Sequence, residues 1–257
     1  MALTEPQKKH IQQVIKTCLR TKFRNYKPES NNMPFHFRLL GKDRMALYSF
    51  IHSLNTTFGT SIFEPVAVAL GKNRFKKAIS QYVMGNKISE GCQQSIQNIM
   101  NGLTVGENPN KKKEIELLRK SAGKGVINKL KTVKADLFLE NNKGEIFFFD
   151  LKTAKPNISD FKDFKRTLLE WIGIVLTHNP KAKINSLVAI PYNPYEPQPY
   201  ERWTLKGMLD LEYELKVAEE FWDFLGGKGA YEDLLNCFEV VGIEMRDEID
   251  DYFSRFK

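Results

Sequence analysis

The sequence predicts a mixed α/β core set inside a large helical periphery. Three observations lead there. Apolar residues keep the 3.6-residue helical period through most of the first half of the chain and again after Asp160. Between Ala135 and Thr153 the pattern switches to two dense apolar runs around Asn141-Asn142-Lys143-Gly144. A further short apolar run, Ser186 to Ile190, follows the next helical stretch. The order helices, strand, strand, helix, strand, helices describes a small sheet with helical cover. At 257 residues and 42% hydrophobic content, the chain is long and apolar enough to bury a proper core. It reads as a single domain in three stretches: helical over residues 1–130, a core over residues 131–203, and helical again over residues 204–257.

The first helix is signalled by Thr4 and Gln7 at capping-box spacing, then Ile11, Val14, Ile15, Cys18 and Leu19 on one stripe. A polar stretch, Tyr26 to Pro34, breaks the pattern. Met45, Tyr48, Ile51 and Leu54 predict a second helix, and Ser61 to Met84, rich in Ala, Val and basic residues, a third. Ser89 is placed to cap a fourth helix through Ile96 and Met100. Gly102 to Asn110 reads as a loop and Lys111 to Lys120 as a charged helix. Ala135 to Glu140 and Glu145 to Thr153 are strands of a hairpin, because Asn and Gly supply the turn. Asp160 to His178 carries Phe161, Phe164, Leu168, Trp171, Ile172 and Val175 at helical spacing. Ser186 to Ile190 is the third strand, and the Pro- and Tyr-rich stretch Pro191 to Trp203 a loop. Glu214 to Leu225 is helical and stops at Gly226-Gly227; Tyr231 to Phe256 is helical with a break near Gly242.

No apolar run approaches the roughly 20 residues of a membrane span, and MALTEPQKKH has no apolar stretch or small-residue cleavage site. A cytoplasmic protein is expected. Cys18, Cys92 and Cys237 are scattered and odd in number, which gives neither a disulfide framework nor zinc spacing. His10, His36, His52 and His178 are equally dispersed, so a His-based metal site or a Cys–His nucleophile is poorly supported. The formal net charge is +8, and its placement says more than its size. Basic residues crowd the first two thirds, at Lys8, Lys9, Lys16, Arg20, Lys72, Arg74, Lys76, Lys77 and Lys111 to Lys113. The end is acidic, with Glu219, Glu220, Asp247, Glu248, Asp250 and Asp251. A basic body suits a polyanion, since neutralised phosphates release counterions; lysines that merely solvate helix faces give the same count.

The stretch richest in chemistry is Lys134 to Thr153, KADLFLENNKGEIFFFDLKT. Side chains alternate along a strand, so Asp150 and Lys152 share a face with the deeper Phe148, while Leu151 points to the other. Asp136 on the partner strand can approach the same point. Two carboxylates beside one lysine make a hard, oxygen-rich pocket suited to Mg²⁺, which takes few protein ligands. The bland reading is a strand end with an Asp150–Lys152 salt bridge. Glu64 is a second candidate acid, although Ser61 and Glu64 also have capping-box spacing and Pro65 fits a first helical turn. Gln81 and Glu90 have weaker claims.

This D…DxK pattern resembles the PD-(D/E)XK nuclease superfamily, whose best-known members are the type II restriction endonucleases. The resemblance implies a restriction-endonuclease-like fold, a mixed central sheet flanked by helices. It implies that Asp136 and Asp150 hold Mg²⁺ with help from the backbone carbonyl of Leu151. Lys152 would then orient or deprotonate the attacking water and offset charge on a phosphorane-like transition state. A lysine between carboxylates stays protonated, which favours the electrostatic role. Ala135 stands where the family name has proline, and the second acid is Asp rather than the commoner Glu. Glu64 corresponds to an acid that several superfamily members add from an N-terminal helix. Over most of its length the chain also resembles the TdeIII-like group, through Phe58-Gly59 to Glu64, the hairpin, and Glu220 to Leu225. That likeness implies a homodimer that reads a short GGNCC-type palindrome in double-stranded DNA and cuts both strands.

DNA-reading candidates follow the active strand at Lys155, Asn157, Lys162, Lys165 and Arg166. Others sit on the later polar loop, at Asn193, Tyr195, Gln198, Tyr200 and Arg202. Trp222 and Phe224 read as core or dimer interface rather than a base-stacking platform. Two alternatives remain open from sequence: a repair or junction nuclease of the same chemistry, and a DNA-binding protein whose acids are structural.

Overall fold

The computed structural model describes residues 2–26, 33–152, 161–200 and 207–255, apart from the side chains of 55–57 and 132. In chain order the helices are α1 (Glu5–Asn25), α2 (Pro34–Leu40), α3 (Lys42–Phe58), α4 (Glu64–Gly71), α5 (Glu90–Thr104), α6 (Lys111–Ser121), α7 (Phe161–His178), α8 (Leu211–Glu214), α9 (Glu219–Gly226), α10 (Ala230–Glu244) and α11 (Arg246–Ser254). The strands are β1 (Lys77–Ser89), β2 (Ile127–Glu140), β3 (Ile146–Leu151), β4 (Ile184–Ile190) and β5 (Leu215–Val217). They form two compact units, Met1–Leu70 with Trp222–Lys257, and Gly71–Phe221. This is the mixed α/β architecture that the sequence predicts. No helix among the described residues is long and apolar enough to cross a membrane.

The first unit is helical. At the start of α1 the Gln7 side chain accepts the Thr4 N–H at 2.8 Å, which satisfies one backbone donor the helix leaves open. Ile11 and Ile15, one turn apart, are buried, and α1 packs along α10. Phe23, Phe50 and Tyr252 stack at 4.5–5.7 Å between ring centroids. A π-helical turn, Gly59–Phe63, joins α3 to α4 without a break. Its cause lies two residues on. Pro65 inside a continuous helix lacks an N–H and crowds the carbonyl four residues back, and the wider turn makes room. The predicted Ser61–Glu64 capping box therefore does not form, because no helix starts at Ser61. Nor does α10 break at Gly242; the turn falls at Met245. Trp222 packs against Phe63 at 5.9 Å and is 1% exposed, as a core residue should be.

The second unit holds a five-stranded sheet in the order β1-β2-β3-β4-β5. β1, β2 and β3 are antiparallel neighbours, while β3, β4 and β5 run parallel. Two strands depart from the sequence reading. Residues Lys77 to Met84, expected as the end of a helix, form most of β1 and pair with β2 instead. Gly71 accepts from Arg74 and Phe75 N–H groups in a tight turn that ends α4, and pairing with β2 then overrides local propensity. Leu215–Val217, expected within a helix, adds three residues beside β4.

One sheet face packs on α7, whose ten buried residues make it the spine of this unit. Phe148 reaches Trp171 at 5.9 Å and Phe138 at 5.4 Å, and Tyr82 stacks on Phe138 at 4.2 Å. On the other face Phe149 meets Phe221 at 5.3 Å. Below α7 lies a buried charge cluster. Lys165 Nζ donates to Glu114 at 2.6 Å and Glu214 at 2.7 Å. Lys111 Nζ donates to Glu214 at 2.8 Å and Ser186 at 2.7 Å. Two lysines and two glutamates cancel, so the cluster joins α6, α7, α8 and β4 without net charge. Burial alone would raise the Glu214 carboxyl, but Lys111 and Lys165 outweigh it and hold it below the usual range.

Candidate active site

The hairpin turn sets the site. Asn141 Oδ1 accepts the N–H groups of Lys143 and Glu145, both at 2.9 Å, and Gly144 takes φ 72°, which a Cβ would oppose. This fixes the register from Glu140 opposite Ile146 to Leu137 opposite Phe149. One step further brings Asp136 level with Asp150. There the backbone ladder stops. In place of another backbone pair, Asp136 Oδ2 accepts the Leu151 N–H at 2.8 Å.

The neighbouring strand is disturbed at the same level. Ser80 pairs with Leu137 and Tyr82 with Ala135, but Gln81, between them, does not pair with Asp136. Gln81 has φ 51°, a left-handed conformation that costs a non-glycine residue roughly 1–2 kcal/mol. Its side chain compensates by donating Nε2 to Asp136 Oδ1 at 3.3 Å. Both carboxylate oxygens of Asp136 are thus held, one from each flanking strand.

Asp150 is 7% exposed, at the end of the apolar face that Phe148 begins. Lys152 Nζ lies 2.8 Å from its Oδ1 and 4.5 Å from the centre of the Phe164 ring on α7, a cation–π contact. The Lys152 N–H bonds to the Ala189 carbonyl at 2.9 Å, so β4 fixes the backbone that carries the lysine. Burial pushes the Asp150 carboxyl up to about 6; Lys152 opposes this and the nearby Asp136 adds to it. The ammonium pairs with Asp150, while Asp136 is held by neutral donors. A divalent cation would supply the positive charge the pair lacks, and two carboxylates with a backbone carbonyl suit a hard ion that keeps several waters. Among the described residues no third His, Cys, Asp or Glu joins a metal-holding group. The protein's donor set at this point is therefore small and entirely oxygen.

Of the other residues singled out in the sequence, Lys155, Asn157 and Arg202 lie outside the described residues. Lys162 is exposed. Arg166 donates to Gln97 at 3.0 Å. Lys165, read as a phosphate or base contact, is instead 0% exposed in the charge cluster; the helical period turns it inward. The Asn193 side chain closes its own loop, donating to the Gln198 carbonyl at 2.7 Å and accepting the Tyr195 N–H at 3.0 Å. Gln198 is exposed. Tyr200 packs near Tyr195, with 5.8 Å between rings. Glu64 is buried in the first unit at 2% exposure. Glu90 accepts the Val126 N–H at 3.4 Å at the start of α5. Sequence reasoning gave Gln81 only a weak claim and Phe164 none beyond the core. The signal for Gln81 was its place opposite Asp136, which is visible only once β1 is recognised as a strand.

Residues 3–242 match the family described as type II restriction endonuclease, HinfI. The chain is 30% identical over 225 residues to the type II restriction enzyme MjaII of Methanocaldococcus jannaschii, covering 77% of this chain and 59% of that protein. It therefore spans under two thirds of the length of that relative. Two enzymes of Herpetosiphon aurantiacus align over 84% of the chain: type II restriction enzyme HgiCII, 26% identical with 80% of its length covered, and HgiEI, 24% identical with 79% covered.

Proposed function

The chain belongs to the HinfI family of type II restriction endonucleases, and on that footing we propose that it cuts both strands of duplex DNA at a short palindromic site, as a homodimer with Mg²⁺. One observation carries the reading: Asp136, Asp150 and Lys152 converge where the β2–β3 ladder ends. Asp136 and Asp150, with the Leu151 carbonyl, would hold the cation. Bound there, Mg²⁺ supplies Lewis acidity toward a phosphodiester and its water. Lys152, 2.8 Å from Asp150, places its ammonium where negative charge grows on phosphorus. Phe164 and Asp150 limit where the ammonium can go. A GGNCC-type target is assigned on the likeness to the TdeIII-like group. A two-fold target is read economically by a two-fold dimer.

The test is a digest of plasmid DNA of known sequence with Mg²⁺, followed by sequencing of the fragment ends. Discrete fragments sharing one palindrome are expected, abolished by chelation and by Asp136→Ala or Lys152→Ala, with the fold and much of the DNA binding intact. Cutting retained by either variant removes that residue from the catalytic assignment. A smear without fixed ends would mark a nuclease of another kind.

A further inference from the structure

Beyond Asp136 the sheet changes character. β3 pairs with β2 only from Leu137 onward, so the stretches Gln81–Ser89 and Ile127–Ala135 form a ribbon of two strands alone. One face is apolar: Tyr82, Met84, Leu130 and Val133 pack against the α7 core, and Ile88 and Ala135 are buried in it. The lysines alternate with these residues in sequence and so stand on the opposite side. They are Lys87, Lys129, Lys131 and Lys134, all exposed. The two stretches contain no Asp or Glu. At the other end of β1, Lys76 and Lys77 both bind Glu140, at 3.0 and 2.8 Å. None of the four ribbon lysines forms an ion pair among the described residues.

The register makes this costly. Lys87 lies directly opposite Lys129, and like charges across an antiparallel pair repel. The ladder there is also irregular, with register shifts on both sides of Gly85, which takes φ 98°. A strand pair that sets lysine against lysine and leaves out every acid is built for an anion from outside. From Lys129 to Lys134 the ribbon spans about 17 Å, enough to follow several phosphates of one strand. Lys134 precedes Asp136 by two residues, so the row of charge ends next to Asp136 along β2.

We propose that the β1–β2 ribbon, through Lys87, Lys129, Lys131 and Lys134, is a backbone-binding surface for duplex DNA that leads the scissile phosphate to Asp136 and Asp150. This rests on the reading of the chain as a duplex-cutting enzyme. The lysines act as point charges on phosphates, so they contribute affinity and placement and leave sequence reading to other residues.

The test is binding of a labelled DNA duplex, with Ca²⁺ in place of Mg²⁺, by fluorescence anisotropy from about 50 to 300 mM salt. The variant replaces all four lysines with glutamine. The control makes the same charge change at Lys120, Lys143, Lys181 and Lys183, exposed residues elsewhere in this unit. Each lost phosphate contact lowers the slope of log affinity against log salt by about 0.9. The ribbon variant should lose roughly 3–4 in slope and at least a hundredfold in affinity at physiological salt. The control should keep most of both, and the ribbon variant should melt no lower than the parent, because the Lys87–Lys129 repulsion is gone. If the ribbon variant keeps the parental slope, or the control loses as much, the ribbon is not the binding surface. A parent that cuts DNA while its ribbon variant binds normally sinks this inference alone; a parent that neither binds nor cuts sinks the nuclease reading with it.

Discussion

Replacing Lys165 separates structure from DNA contact at one position. Its ammonium is 0% exposed and bonds two carboxylates, Glu114 at 2.6 Å and Glu214 at 2.7 Å. In Lys165→Ala, Glu214 keeps Lys111 but Glu114 loses its cation inside the unit. Breaking a buried pair from one side costs about 3–5 kcal/mol, because a charge is stranded away from water. That is a large share of the roughly 5–15 kcal/mol by which a domain is stable. With a urea slope near 2 kcal/mol per molar, the midpoint should fall by about 2 M. Trp171 fluorescence reports on the same helix. Removing both partners in Lys165→Met with Glu114→Leu should restore most of the loss, since an apolar pair of similar volume needs no counter-charge. Lys162→Ala, an exposed neighbour on α7, should shift stability by less than about 0.5 kcal/mol. An unmoved midpoint for Lys165→Ala, with a DNA salt slope lower by about one, would place the ammonium on a phosphate and refute the argument.

Asp150 gives a pH prediction. Its carboxyl is raised from 3.8 to about 6, so the fold disfavours the charged form. Below pH 3.8 the folded and unfolded chains both hold the proton and nothing is lost; between pH 3.8 and about 6 the unfolded chain ionises while the folded one keeps its proton, and the fold loses about 3 kcal/mol. Asp150→Asn, without metal or DNA, should therefore melt higher than the parent at pH 8 and the same as the parent at pH 3.5; an equal melting point at pH 8 would refute the shift. Gln81→Gly should relieve the left-handed strain and raise stability by about 1 kcal/mol by calorimetry, while slowing cleavage because Asp136 loses a donor. A stability loss would mean that the side chain contributes more than the backbone conformation costs.

The hairpin, α7 and the two acids with their lysine were legible because each rests on local chemistry. An Asn/Gly turn fixes a register, and a period of two places Asp150 with Lys152. β1 was not legible. Val66, Ala67, Ala69 and Leu70 supply helical spacing up to Gly71, and Ala78, Tyr82 and Val83 continue it well enough to hide a strand. Only pairing with β2, about fifty residues on in sequence, decides the matter. β5 is three residues long and exists because β4 offers an edge. Lys165 misled for a related reason. The sequence presents a lysine beside Lys162 and Arg166, and only the partners Glu114 and Glu214, drawn from distant helices, turn it inward.

The buried cluster and the candidate site are mechanically linked through one turn of α7. Phe164 and Lys165 are adjacent, and a helix rotates about 100° per residue, so fixing one side chain fixes the direction of the other. Lys165, locked by two carboxylates, sets the rotation of α7 about its axis; Phe164 then presents its ring under Lys152. An apolar residue at 165 would bury equally well but would tolerate small rotations, since dispersion contacts are non-directional. Hydrogen-bonded charges at 2.6 and 2.7 Å do not. The double replacement Lys165→Met with Glu114→Leu thus has a second consequence. It should recover stability yet leave cleavage slower than in the parent, and a fully restored rate would show that Phe164 needs no such anchor to hold the lysine.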